Sequence, residues 1–201
     1  MDDNFYFAKS SDASDILEIY GPMVLTTPVC FELEVPSMQE MQRRIRTIQE
    51  QYPWLVYKRD EKVLGYAYAS PHRARPAYQW SVDLSIYIHP SMRRKGLGYA
   101  LYTALFALLR LQGYINAYAG ITLPNSGSVG LHEAMGFTPV GVYKQVGYKL
   151  DKWHDVGHWQ FSLQEHADMP TAPLPITLVK ETSACLTALQ TGLNLFRKES
   201  T

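Results

Sequence analysis

The 201-residue chain carries 19 lysines and arginines against 19 aspartates and glutamates, so its formal net charge is zero; 46% of its residues are hydrophobic and 19% charged. That length holds one domain with at most an appendage and buries a core without staples, and the composition excludes a disordered or collagen-like chain. Neutrality argues against generic binding to nucleic acid or anionic membrane, which rests on a basic surplus.

Phe5–Ala8 reads as a short strand, and Ser11–Asp15 offers N-cap candidates for a helix through Ile16, Leu17, Ile19 and Tyr20. Pro22–Pro36 is loop-like. Ser37-Met38-Gln39-Glu40 has the spacing of a capping box and opens a helix to about Gln51. Trp54–Lys58 and Val63–Ala69 form a strand pair around the charged turn Arg59-Asp60-Glu61. Trp80–His89 alternates, with Trp80, Val82, Leu84, Ile86 and Ile88 on one parity and Asp83 on the other, which predicts a long strand. Tyr99–Gln112 is a helix apolar almost all round, ended by Gly113. Tyr114–Ala119 returns as a strand, and Pro124-Asn125-Ser126 opens a helix through Met135, stopped by Gly136. Val140–Lys149 and Trp159–Leu163 are strand-like, with a turn rich in Gly, Trp and His between them. Strands alternating with helices indicate a mixed α/β sheet. Pro170, Pro173 and Pro175 then mark a linker, and Val179–Phe196 forms a weak amphipathic helix. The organisation expected is a catalytic-size domain over residues 1–165 and a Pro-containing linker with a C-terminal extension, of unknown role, over 166–201.

The neutral sum hides an uneven distribution. From Lys62 to His132 the charges are Lys62, Arg73, Arg75, Arg93, Arg94, Lys95 and Arg110 against Asp83 alone, a balance of +6 offset by −6 elsewhere. A small anionic ligand held in the middle of the chain is the reading this suggests. Cys30 and Cys185 show no CxxC or CxxH spacing, so neither a zinc site nor a disulfide framework is signalled. His154, Asp155 and His158, read as lying on a strand edge, would point to opposite faces, and no metal is expected. The acidic start Met1–Asn4 lacks the basic region of a signal peptide, and no apolar run reaches spanning length, so a cytoplasmic protein is expected.

The sharpest local signal is Arg93-Arg94-Lys95-Gly96-Leu97-Gly98, between the long strand and the apolar helix. Glycines there let the backbone approach a ligand, the helix adds its positive end, and the three cations add full charges. The pattern resembles the acetyl-CoA loop of the GNAT acyltransferase superfamily. Asn125 with Leu131–Phe137 resembles that superfamily's second cofactor helix. Tyr52–Val56, Gly65–Ala69, Arg73–Tyr78 and Trp153–Gln160 resemble its phosphinothricin N-acetyltransferase branch, so that the likeness runs from about Phe5 to Leu163.

This resemblance implies a GNAT fold: a mixed, mostly antiparallel sheet with a splayed central strand pair, flanked by helices. It implies an N-acetyltransferase that moves the acetyl group of acetyl-CoA directly, in a ternary complex, to the amine of a small amino-acid-like acceptor such as phosphinothricin or methionine sulfoximine. Backbone groups of Ile86 and Ile88 would hold the pantetheine arm and polarise the acetyl carbonyl; Asn125 would touch that arm. Asp83 stands where the branch carries a glutamate as presumed base, and His132 where many relatives carry a tyrosine that protonates the thiolate. Which of the two is the base stays open. Arg73 and Arg75 suit an anionic acceptor; Phe31, Tyr78 and Trp80 are candidate walls of its pocket, and Lys149 with Trp153 its closure. A homodimer is implied as well. Acetylation of another amine, such as a protein N-terminus or polyamine, and a non-catalytic acyl-CoA-binding module are the alternatives.

Overall fold

The structure is a computed structural model that describes residues 4–199; residues 1–3, in the acidic start noted above, and 200–201, at the end of the extension, lie outside it. Its strands are Asn4–Phe7 (β1), Trp54–Arg59 (β2), Lys62–Pro71 (β3), Ser81–Ile88 (β4), Asn116–Leu123 (β5), Thr138–Lys149 (β6) and Lys152–Ser162 (β7). Its helices are Ala13–Thr26 (α1), Met38–Ile48 (α2), Leu97–Gln112 (α3), Ser126–Ala134 (α4), Ile176–Val179 (α5) and Ser183–Glu199 (α6). The strands form one seven-stranded sheet in the order β1-β2-β3-β4-β5-β7-β6. Only the central β4–β5 pair is parallel; every other neighbour is antiparallel.

Two hairpins are closed by two-residue turns with both residues left-handed: Asp60 and Glu61 (φ 50° and 63°), and Leu150 and Asp151 (φ 50° and 58°). Such turns match the twist of the strands they join. The second one corrects the expectation of a turn before Trp159. Residues 153–158 are strand β7, paired in register with β6 on one side and β5 on the other. The loop expected from Pro22 begins later, because α1 runs through Pro22 to Thr26. Pro22 lies on the exposed side, where the carbonyl its ring leaves unpaired faces water.

Each face of the sheet buries one core. On one side Val56, Trp54 and Tyr66 pack under α1 and α2, with Ile16, Ile19, Met41 and Ile45. On the other, Leu55, Tyr57, Ala67, Val82, Leu84 and Ala117 pack under α3, which is buried nearly all round, as its composition required. The segment after residue 165 is no separate appendage. Ile176, Val179, Cys185, Ala188, Leu193 and Phe196 are buried in that second core, α6 lies along α3, and Phe196 packs edge-on against Tyr57.

Candidate active site

β4 and β5 are paired only from Ser81/Asn116 to Asp83/Tyr118 and then part. Beyond the fork, the alternation of β4 decides what faces the gap. Leu64 pairs with His89 and His72 with Ser81 through backbone hydrogen bonds to the β3 side. In an antiparallel ladder such bonded pairs recur every second residue. The main-chain groups of Leu84, Ile86 and Ile88 therefore point toward β5, where the strand has left. Ile86 and Ile88, the pair that the resemblance assigned to the pantetheine arm, are among them.

The gap opens on a cavity of about 590 Å³, lined by Ile86, Ile88, Arg94, Gly98, Asn125 and Leu131 among others. The loop at its mouth turns twice through left-handed conformations, at Arg94 (φ 59°) and Gly96 (φ 76°). No side chain caps the N-terminus of α3, so its first N–H groups stay available to a ligand. Gly98 lets α4 approach: an added Cβ would lie 3.1 Å from Leu131. Arg93 is partly committed, its Nε donating to the Ile88 carbonyl (3.3 Å); Arg94 and Lys95 are exposed. Asn125 caps α4, its Oδ1 accepting from the Ser128 amide at 3.1 Å. An apolar cleft with a cationic, amide-rich mouth suits a ligand with phosphates at one end and a slender arm at the other.

Deeper in the fork is a chamber of about 70 Å³, bounded by residues of both sheet faces: Leu84, Tyr102, Ala119 and His132 from the α3 side, Ser85 and Thr122 from the other. His132, 3% exposed, sits between two partners. Nδ1 lies 2.8 Å from the Ser128 carbonyl and Nε2 3.0 Å from the Tyr102 hydroxyl. A carbonyl only accepts, so Nδ1 carries the proton and Nε2 accepts from Tyr102. Burial holds the imidazole below its ordinary pKa, against the hydrogen bond to Ser128, and burial pushes the Tyr102 phenol up.

Asp83 stands at the last paired position, on the opposite face. Its Oδ1 accepts from His72 Nδ1 at 2.7 Å. The His72 ring stacks on Tyr118 (4.3 Å between centroids) and meets Tyr78 edge-on (6.0 Å). Burial pushes the Asp83 carboxyl above its ordinary range, while His72, Arg73 and His158 pull it back. Arg73 and Arg75 are exposed beside this cluster in the chain, and Arg73 donates to the His72 carbonyl at 3.0 Å. His158, on β7, carries a buried Nε2 without a hydrogen-bond partner.

The chain matches the Acetyltransferase (GNAT) domain family over residues 6–158. It belongs to the GNAT acetyltransferases. It is 38% identical to a phosphinothricin N-acetyltransferase of Streptomyces viridochromogenes, over 87% of this chain and 93% of that protein. It is 33% identical to an L-methionine sulfoximine/L-methionine sulfone acetyltransferase of Salmonella typhimurium, over 80% and 95%. A GNAT superfamily phosphinothricin acetyltransferase from Sinorhizobium meliloti, solved in complex with AcCoA, superposes with a TM-score of 0.80 at 36% identity, covering 85% of this chain and 94% of that one. The GNAT assignment makes the chain an acyltransferase, and the fork between β4 and β5 is the feature of its sheet that the resemblance implied.

Within this GNAT fold several expected acceptor residues lie elsewhere. Trp80 donates its indole N–H to the Thr171 carbonyl (2.7 Å) and so faces the C-terminal segment. Lys149 is 4% exposed and donates to the Cys30 carbonyl (2.7 Å), tying down the loop after α1. Phe31 lies over Gly147 on the β6–β7 hairpin, and Trp153 is exposed beside Tyr148. None of these four lines either cavity. Of the expected walls, Tyr78 alone touches the Asp83–His72 cluster. Sequence reasoning missed His72, Tyr102, Ser128 and Tyr118. Among the described residues no group of three His, Cys, Asp or Glu is placed to hold a metal ion. His154 Nε2 lies 2.9 Å from the Lys149 carbonyl, and Asp155 binds Lys144 and the Gln145 amide.

Proposed function

We propose that the protein is an N-acetyltransferase that takes acetyl-CoA and acetylates the amine of a small amino-acid-like acceptor, of the phosphinothricin or methionine sulfoximine type. One observation carries this reading: β4 and β5 part just beyond Asp83, and the chamber in the fork is bounded by residues of both sheet faces, the Tyr102–His132 pair among them. The bound thioester supplies the acetyl group and a thiolate leaving group. The Arg93–Gly98 loop and the α3 N-terminus hold its diphosphate. Backbone groups of Ile86 and Ile88 hold the arm, and an N–H donor so placed is worth about 2.7–4 kcal/mol to a developing oxyanion.

The acceptor enters from the Asp83 face, with Arg73 and Arg75 at hand for its acidic group. The Asp83 cluster takes the first ammonium proton, and the amine nitrogen then bonds to the acetyl carbon. The second nitrogen proton passes through the Tyr102 hydroxyl to His132 Nε2. The imidazolium so formed keeps its Nδ1–H on the Ser128 carbonyl. As the C–S bond breaks, the same proton returns through Tyr102 to the thiolate. Neither cysteine enters the chemistry: Cys185 is buried under α6 and Cys30 belongs to the loop that Lys149 holds.

Two further features belong to this reading. The edge strand β6 exposes Val140, Val142, Tyr143, Val146 and Tyr148, an apolar face that a second copy of the chain would cover, which supports a homodimer. Both cysteines are free, which suits a reducing cytoplasm; no helix among the described residues is long and apolar enough to cross a membrane. The test is a thiol-release assay with acetyl-CoA and a panel of amino acids and analogues. Turnover confined to amino-acid-like amines is expected. Turnover only on polyamines or peptide N-termini would overturn the acceptor class.

A further inference from the structure

We propose that His72, held by Asp83, is the general base of this enzyme, so that the acceptor's proton goes to an imidazole and not to the carboxylate itself. The inference deepens the reading above and rests on it. Oδ1 of Asp83 is occupied by the Nδ1–H of His72 at 2.7 Å. A carboxylate in that position fixes the tautomer and orientation of the ring and stabilises the imidazolium that forms when the other nitrogen accepts a proton. That other nitrogen, Nε2, has no hydrogen-bond partner among the described residues. The ring is not adrift: it is stacked on Tyr118 of β5, edge-on to Tyr78, and its own backbone N–H donates to the Ser81 carbonyl. The pair therefore joins the segment just after β3 to β4 and packs on β5 at the fork, with one nitrogen locked and one without a hydrogen-bond partner.

A neutral imidazole is also the better match to the task. An ordinary carboxylate is too weak a base toward an ammonium, whereas a base with a pKa near the working pH combines proton affinity with availability. The groups that face the His72 ring are Asp83 from β4, Tyr118 from β5 and Tyr78 from the segment after β3, while Arg73 from that segment and His158 on β7 act on Asp83. Asp83 is the one carboxylate among them. In the step itself the acceptor ammonium gives one proton to His72 Nε2, the amine forms the C–N bond, and the second nitrogen proton leaves on the CoA thiol. The proton on His72 is released to water after turnover.

The experiment compares kcat/KM against pH for the wild type and His72→Gln, with acetyl-CoA and a saturable amino-acid acceptor. Wild type is expected to lose activity as pH falls through the imidazole range. His72→Gln is expected to lose about 10²-fold or more and to lose that limb. A second measurement needs no turnover: long-range proton–nitrogen NMR of the imidazole rings, with His72 assigned by its disappearance in the variant. The Nδ1–H tautomer is expected. An Nε2–H tautomer overturns the proposal. So does a His72→Gln enzyme whose pH profile is unchanged, whatever its rate. If amino acids are not acetylated but another amine is, the acceptor class fails alone and the profiles are taken on that amine; no turnover on any amine overturns both.

Discussion

The Tyr102 hydroxyl donates to His132 Nε2 across 3.0 Å, on the face of the sheet opposite Asp83. Two ionisable centres on two faces of a forked strand pair give the site a direction. In the proposed reaction, proton removal from the acceptor is assigned to the Asp83 side, and proton return to the leaving thiol to the Tyr102–His132 side.

Tyr102→Phe tests that direction. The phenylalanine fits the same space, but His132 Nε2 loses the Tyr102 hydroxyl and the proposed relay is cut. We expect kcat to fall by about 10²-fold or more with little change in acceptor KM, because proton transfer by a positioned group contributes on that order. Stability should drop by about 1 kcal/mol for the lost buried hydrogen bond. An unchanged kcat in a thiol-release assay would make Tyr102 a packing residue only.

Asp83→Asn separates activity from stability. Burial raises the folded pKa of Asp83 above its unfolded value. Such a group contributes stability that is present below the unfolded pKa and is lost as pH rises through the folded one. At neutral pH the ionised carboxylate is therefore a cost, and asparagine removes it while still accepting from His72 Nδ1. The variant should lose about 10²-fold or more in kcat, yet melt no lower than wild type at neutral pH. Any advantage should vanish in acid, where the wild-type carboxyl is neutral too. Scanning calorimetry at the two pH values decides; a large drop in the neutral melting temperature refutes the account.

The phosphate loop should be read by charge. Arg94→Glu with Lys95→Glu leaves the backbone turns intact but reverses two exposed cations of the loop, Arg94 lining the cavity and Lys95 next to it in the chain. An exposed charge at contact distance is worth about 1 kcal/mol in water. The KM for acetyl-CoA should rise by about tenfold or more, with a weaker salt dependence than wild type and nearly unchanged kcat. A fall in kcat alone would place these residues elsewhere in the mechanism.

How far the sequence could be read depended on periodicity. The parity of Trp80–His89 was enough to put Asp83 opposite the apolar set, and alternation along β4 also puts the Ile86 and Ile88 main chain toward the gap. His72 was illegible because it follows the last residue of β3, where alternation stops and nothing local marks its ring as the partner of Asp83. Tyr102 was hidden by its neighbours: in a helix apolar all round, one tyrosine looks like core. Lys149 misled because its partner is Cys30, 119 residues away. Trp153–His158 looked like a turn because Gly and His interrupt the apolar pattern; cross-strand pairing on both sides overrides that weak local signal.

The C-terminal segment yields the last prediction. α6 would be dispensable if it were an extension tied on by a flexible linker. Instead Leu193 is 2% exposed in the core that also holds Leu101, Leu105 and Phe5, and Trp80 anchors the linker through Thr171. The helix it covers, α3, is the one whose N-terminus lies at the mouth of the larger cavity and whose Tyr102 bonds His132. Leu193→Ala should cost about 2–5 kcal/mol, seen as a lower urea midpoint with an unchanged slope. At permissive temperature its kcat should match wild type, because Leu193 lines neither cavity. Unfolding in two separate steps, with α6 lost first and the rest unaltered, would instead restore the picture of an independent extension.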